Sequence, residues 1–223
     1  MGPEPSGDAN RFGTVAFYAA LGKAFVTMCA IIPVLFLVEL LDFATGHQLD
    51  QLGGLRPREP DGLDGIIFAP LLHGSFAHLY GNSVPLLLTG TFVLATGGKR
   101  FLWVTGLIAL VSGLGTWLTG PPHSVIVGAS GIVFGYLGYL LVRGVVERNW
   151  WSIAVSVLIG LLFGWTLVGA LPTDQRISWQ AHLFGLIGGV AAAILFRRRR
   201  PRAEPVTPTL DLSGPLPGGP TEP

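Results

Sequence analysis

The chain is poor in charge. Only 12% of its 223 residues are Asp, Glu, Lys or Arg, about half the share usual in a soluble globular domain. The net charge of +1 offers no basic surface for nucleic acid. Half of the residues are hydrophobic and the mean hydropathy is +0.57, which excludes a disordered chain and an ordinary water-soluble domain. Cysteine occurs once, at Cys29, so neither an intramolecular disulfide nor a cysteine-based zinc site is available. A His-Glu-x-x-His metalloprotease string is absent as well.

What is abundant is long apolar sequence. A bilayer core of about 30 Å needs roughly 20 mostly apolar residues per helix. Six stretches qualify: 15–41, 78–96, 101–118, 127–146, 150–171 and 179–196. The first reads as a retained signal anchor, with Lys23 near its start reaching back to the headgroups. The fold class expected is an all-α polytopic membrane protein, a six-helix bundle over 15–196. A short cytoplasmic N-terminus, 1–14, precedes it. A tail over 197–223, basic and then proline-rich, follows it as a disordered cytoplasmic segment.

Six spans place both termini on one side of the membrane. With cytoplasmic termini, eleven Lys and Arg residues fall on inner segments and three, Arg56, Arg58 and Arg176, on outer ones, the sense of the positive-inside rule. The expected location is the plasma membrane, multi-pass. Residues 42–77 form one long outer loop. It is too apolar to be freely solvated and too short to span, so interfacial or re-entrant helices are expected there.

Polar residues at hydrocarbon depth carry the functional information. His78 and Asn82 open the second span, preceded by His73. Ser130 lies near the start of the fourth span and His182 near the start of the sixth. All three spans run inward from the outer side, so these groups share one depth, about one helical turn below the surface. Gly128 and Gly131 flank Ser130, and the pairs Gly131/Gly135 and Gly185/Gly189 make small faces that let the fourth and sixth spans approach closely.

Blander readings stand beside these. A lone serine in a membrane helix returns its proton to an i−4 carbonyl, and a lone intramembrane histidine serves as a proton relay or haem ligand. His47 and His123 read most simply as solvated loop residues, and Glu39 as a span-end residue needing no function. Several costly groups at one depth are harder to explain by packing. A serine nucleophile needs a base, and histidine is the usual one. The spans around Ser130 and His182 hold no Asp or Glu, which leaves a Ser-His dyad. Asn82, a His78 ring N–H and the Ser130 backbone N–H suit an oxyanion. His73 is assigned a structural hydrogen bond at the mouth of the site. The site is expected to open to the extracytoplasmic side, where water reaches it.

The strings His73-x4-His78-x3-Asn82, Gly128-Ala129-Ser130-Gly131 and Ala181-His182-x2-Gly185-x3-Gly189 together resemble the rhomboid intramembrane serine proteases. The loop string LRPREPDGLDGIIFAPLLH resembles the first outer loop of bacterial members, actinobacterial ones above all. The resemblance implies Ser130 as nucleophile, His182 as general base, and His78 and Asn82 as the oxyanion side chains. It makes His73 the outer member of the polar cluster and Gly128 the opening glycine of the serine motif. Phe134 stands where the family often has tyrosine against the catalytic histidine. The Trp-Arg pair of some first loops is missing, with Arg56 and Arg58 nearby. The substrates implied are transmembrane proteins in a lipid bilayer, cut with no cofactor and no metal; nothing in the sequence fixes an oligomeric state. The alternative is a non-proteolytic rhomboid-like scaffold that binds transmembrane helices, and a haem or transport protein ranks third.

Overall fold

Residues 12–172 and 178–197 are described by a computed structural model. The expected N-terminal and tail segments therefore lie largely outside the described residues. Among these residues the chain is helical, with eight α-helices and three 3-10 turns. The helices are α1 (Val15–Ala44), α2 (Gln48–Gly53), α3 (Gly65–Phe68), α4 (Phe76–Leu94), α5 (Gly98–Thr119), α6 (Ser130–Glu147), α7 (Trp150–Phe163) and α8 (Trp179–Leu195). A 3-10 stretch, Gly164–Ala170, continues α7.

Short polar side chains set the helix starts. Thr14, Ser75, Asn149 and Ser178 each accept from a first-turn backbone N–H of α1, α4, α7 and α8, which satisfies donors the helix itself leaves orphaned. Four units are long and apolar enough to cross a membrane: α1, α5, α6 and α7 with its 3-10 extension. The 17-residue α8 is shorter. The 19-residue α4 is long enough, but His78, Asn82 and Pro85 dilute its apolar character.

α6 is the hub. In its most apolar window 61% of residues are buried, against 22% for α1 and α7. The outer helices instead leave large apolar side chains exposed, among them Val26, Leu37, Leu158 and Leu161, as lipid-facing surfaces do. The α6–α8 contact is closest of all. A Cβ on Gly185 would strike the Gly131 carbonyl oxygen, and one on Gly189 the Gly135 carbonyl oxygen. Apolar burial gives little drive between helices in lipid, so close backbone approach and dispersion carry this seam.

Several expected boundaries move, and three of the shifts have a visible cause. α1 runs to Ala44 rather than 41, its end satisfied by Thr45 N–H and Oγ1 bonding back to the Leu41 and Asp42 carbonyls. The fourth span begins as a helix at Ser130 rather than 127, because Gly128 has φ +122° and cannot continue a right-handed helix. Ser130 is thus the first residue of α6, not one turn inside it. The fifth expected span tightens to 3-10 from Gly164, where Thr166 Oγ1 donates to the Phe163 carbonyl.

The long loop holds short helices, as expected. It leans on α5: Ile66 fills the space beside Gly113, Trp117 Nε1 donates to the Glu59 carbonyl and Arg58 Nη2 to that of Gly120. Leu55 and Ile126 exchange both backbone hydrogen bonds at 2.9 Å, pinning the loop to the extended segment before Ser130.

Candidate active site

At the loop end of the bundle lies a cavity of about 1190 Å³. His78, Asn82, Gly128, Ser130, Gly131, Phe134 and His182 all line it. Residues from α4, α6 and α8 that are far apart in sequence therefore meet at one site. Loop residues Leu55, Gly65, Ile66 and Ala69 form part of its wall. No Asp or Glu occurs among the described lining residues.

His182 is buried and fixed on two sides. Its ring stacks on Phe134, with centroids 4.0 Å apart and planes 6° from parallel. Its Nδ1 lies 2.9 Å from the Gly169 carbonyl oxygen. A carbonyl only accepts, so Nδ1 carries the proton and Nε2 is left as an acceptor. Phe134 follows Ser130 by four residues on α6, so the ring that supports His182 lies one turn below the serine on the same face.

The backbone before Ser130 is held by bonds from the loop. Gly128 N–H donates to the Ala69 carbonyl at 2.9 Å. Ala129 N–H donates to His73 Nε2 at 3.3 Å. Accepting there, His73 must be neutral with its proton on Nδ1. Burial, and then the neighbouring His78, push its pKa down to about 4, consistent with that state. His73 stands behind the cavity wall and packs edge-on against His78, centroids 5.2 Å apart.

Gly128 makes room for the other two polar groups. A Cβ there would lie 2.6 Å from His78 Cε1 and 3.7 Å from Asn82 Nδ2. The Asn82 amide nitrogen is buried without a hydrogen-bond partner, an expensive arrangement for a donor unless something arrives to use it. The N-terminal amides of α6, that of Ser130 included, have no intrahelical acceptor, and the helix dipole favours negative charge at this point.

Three contributors escaped the sequence reading. Gly169 supplies the carbonyl that sets the His182 tautomer, from a 3-10 stretch thirteen residues upstream. Ser112 on α5 donates to the Ala181 carbonyl at 2.9 Å and abuts Gly131, tying α8 to the start of α6. Neither stands in a motif, because each acts through backbone geometry. The third is a separate acidic group at the end of α1. Glu39 and Asp42 are 1% exposed. His47, expected as a solvated loop residue, has its Nδ1 3.1 Å from Asp42 Oδ2 and 3.7 Å from Asp50 Oδ2. Burial, then the charges of Asp42 and Glu39, push Asp50 up to about 6.

Sequence similarity to known proteins shows the family. The model of the rhomboid domain matches residues 61–199. An uncharacterized protein of Mycobacterium tuberculosis is 42% identical over 177 residues, covering 76% of this chain and 73% of its own length. YdcA of Bacillus subtilis, which its name presents as a candidate rhomboid protease, is 30% identical over 192 residues, covering 86% of this chain and 92% of its own. A rhomboid-like chloroplast protein of Arabidopsis thaliana is 34% identical over 149 residues, covering 59% and 52%. The domain match spans well over half the chain and includes every residue around the cavity named above except Leu55, so this apolar helical bundle belongs to the rhomboid family.

Proposed function

We propose that this protein is an intramembrane serine endopeptidase that cuts transmembrane proteins with a Ser130–His182 dyad. The supporting observation is the fixed state of His182. Its Nδ1 proton is committed to the Gly169 carbonyl and its ring is clamped on Phe134. Nε2 is thus the basic nitrogen in a cavity that Ser130 also lines.

In this reading Nε2 takes the Ser130 proton as the hydroxyl oxygen attacks a scissile carbonyl carbon. The oxyanion is received by the Asn82 amide, the His78 ring and the Ser130 N–H at the positive end of α6. The imidazolium then protonates the leaving amine, and water repeats the sequence on the acyl-enzyme. A backbone carbonyl takes the orienting place that a carboxylate has in a triad. His73 has a supporting role, fixing the Ala129 amide so that the turn presents Ser130 to the cavity. Gly128 and Gly131 admit His78 and Ser112 against the same turn.

The same proposal places six spans in the plasma membrane, with cytoplasmic termini and a cavity open to the extracytoplasmic side. Arg100, Arg143 and Glu147 make ion pairs at the opposite end of the bundle, at 3.1 and 2.8 Å, and the charge asymmetry of the sequence puts that end inside. The membrane supplies the substrates as helices, and the dyad needs no cofactor. The test is cleavage of a generic transmembrane substrate in liposomes, with fluorophosphonate labelling, comparing wild type with Ser130→Ala and His182→Ala. Loss of both signals in both variants is expected. Cleavage by Ser130→Ala protein would overturn the assignment.

A further inference from the structure

The acidic group at the end of α1 lies before the residues matched by the rhomboid model, and the dyad makes no use of it. It begins with an excess of acceptors. Glu39, Asp42 and Asp50 are buried, at 1%, 1% and 6% exposure. His47 is the basic group that faces them. Three carboxyl groups face one imidazole, so acceptors outnumber the basic group, and buried charge without a partner costs several kcal/mol.

The atoms converge. His47 Nδ1, Asp42 Oδ2 and Asp50 Oδ2 all lie within 4.8 Å of one another. The shorter separations are 3.1 and 3.7 Å. Ligands about 2.1 Å from a tetrahedral ion stand roughly 3.4 Å apart, so these spacings suit one ion between them. A second feature points the same way. Glu39 lies one turn before Asp42 on α1 and neither of its carboxylate oxygens has a hydrogen-bond partner; Asp50 Oδ1 lacks one too. Buried polar atoms are rarely left this way.

Local folding builds the group deliberately. His47 adopts φ +62°, a left-handed turn between α1 and α2, which is uncommon for a residue with a side chain. His47 offers α2 no side-chain cap. Asp42 Oδ1 does that work from α1, accepting from Leu49 N–H at 2.7 Å and Asp50 N–H at 3.3 Å. This leaves Asp42 Oδ2 turned to His47 and Asp50.

We propose that Asp42, His47 and Asp50, with the unpartnered buried carboxylate of Glu39 adding negative charge nearby, form a binding site for one divalent transition-metal ion at the α1–α2 corner. A single imidazole among carboxylates is a donor set for Zn²⁺ or Mn²⁺. The sequence reading expected no metal, and this site lies apart from the dyad, so the proposal stands or falls independently of proteolysis. Its structural consequence is local. α2 is capped by Gly54, whose N–H bonds to the Asp50 carbonyl, and Leu55 then pairs with Ile126 beside the cavity. A bound ion would clamp α2 and, through it, the wall that carries Leu55.

The experiment uses tag-free full-length protein in detergent, stripped with chelator and titrated with Zn²⁺ or Mn²⁺ alone. Bound metal is counted after equilibrium dialysis, and Tm is read by intrinsic fluorescence. The expected result is one ion per chain and a Tm rise of roughly 5–10 °C at a hundredfold excess over Kd. Asp50→Asn and His47→Gln should each weaken binding at least tenfold. Asp61→Asn, in the loop outside the group, should change nothing. Wild-type protein that binds no ion, with Tm raised by Asp50→Asn, would make the group a set of protonated carboxyls and overturn the proposal. Equal metal binding by wild type and Asp50→Asn would put the ion elsewhere and overturn it too.

Discussion

Two buried polar groups lie on the loop side of this molecule, and they are mismatched in opposite senses. Around Ser130 the surplus is in donors: the Asn82 amide and the His73 Nδ1 proton have no partner, and the amides opening α6 have no helical acceptor. Around Glu39 the surplus is in acceptors: both its carboxylate oxygens and Asp50 Oδ1 are unpartnered. Such orphans are rare in folded chains and each calls for an explanation. Surplus donors beside the proposed nucleophile suit a developing oxyanion, and surplus acceptors beside an imidazole suit a cation.

The largest expected effect comes from breaking the seam that assembles the first group. Gly189→Val forces side-chain atoms into the Gly135 carbonyl and the Tyr139 backbone, 2.8 Å from the added Cβ. We expect loss of monodisperse folded protein in size-exclusion chromatography. Gly106→Ala, in α5 with nothing within 4 Å, should leave Tm unchanged or slightly raised.

Next in size is the orphan donor itself. Asn82→Ala should lower the cleavage rate roughly 10²–10³-fold while leaving Tm nearly unchanged, because the amide nitrogen has no bond to lose. A Tm loss as large as the activity loss would make Asn82 a packing residue and dissolve the contrast between the two groups. Phe134→Leu keeps an apolar contact and removes the stack on His182. Such stacking contributes about 0.5–1.5 kcal/mol, so kcat should fall by roughly twofold to tenfold, and Phe134→Tyr should retain wild-type turnover.

A further effect is on pH dependence and appears only below pH 6.5. His73 is held neutral, its pKa pushed down to about 4 from 6.5 in the unfolded chain. Above pH 6.5 both states are neutral and His73 contributes no slope. Between 6.5 and 4 the unfolded chain takes up a proton that the folded chain refuses, so stability falls as pH falls through this window, by at most about 1.4 kcal/mol per pH unit. His73→Gln can still accept from Ala129 N–H and does not titrate. Its Tm should decline less steeply over the same range, and parallel slopes would show that His73 is not the group responsible.

The first polar group was legible in the sequence because its members sit on regular helices at fixed spacings. His78 and Asn82, four apart, and the glycine pairs around Ser130 and His182 follow helical periodicity, and membrane depth made their coincidence visible. The start of α6 was misplaced by three residues because apolar content does not report φ, and only Gly128 marks the turn. Gly169 was invisible, since its contribution is a backbone carbonyl freed where α7 tightens to 3-10. The second group was not gathered from the sequence. His47 looks like a loop residue and Glu39 like a span end, and they meet only through the left-handed turn at His47 and the use of Asp42 as a cap for another helix.

The most direct test of the central claim is cleavage and fluorophosphonate labelling by wild type, Ser130→Ala and His182→Ala in matched liposomes. The account predicts wild-type cleavage and labelling at Ser130, with cleavage and labelling lost in both variants. Cleavage that survives Ser130→Ala, or a wild type silent across several transmembrane substrates and unlabelled by the probe, would contradict it.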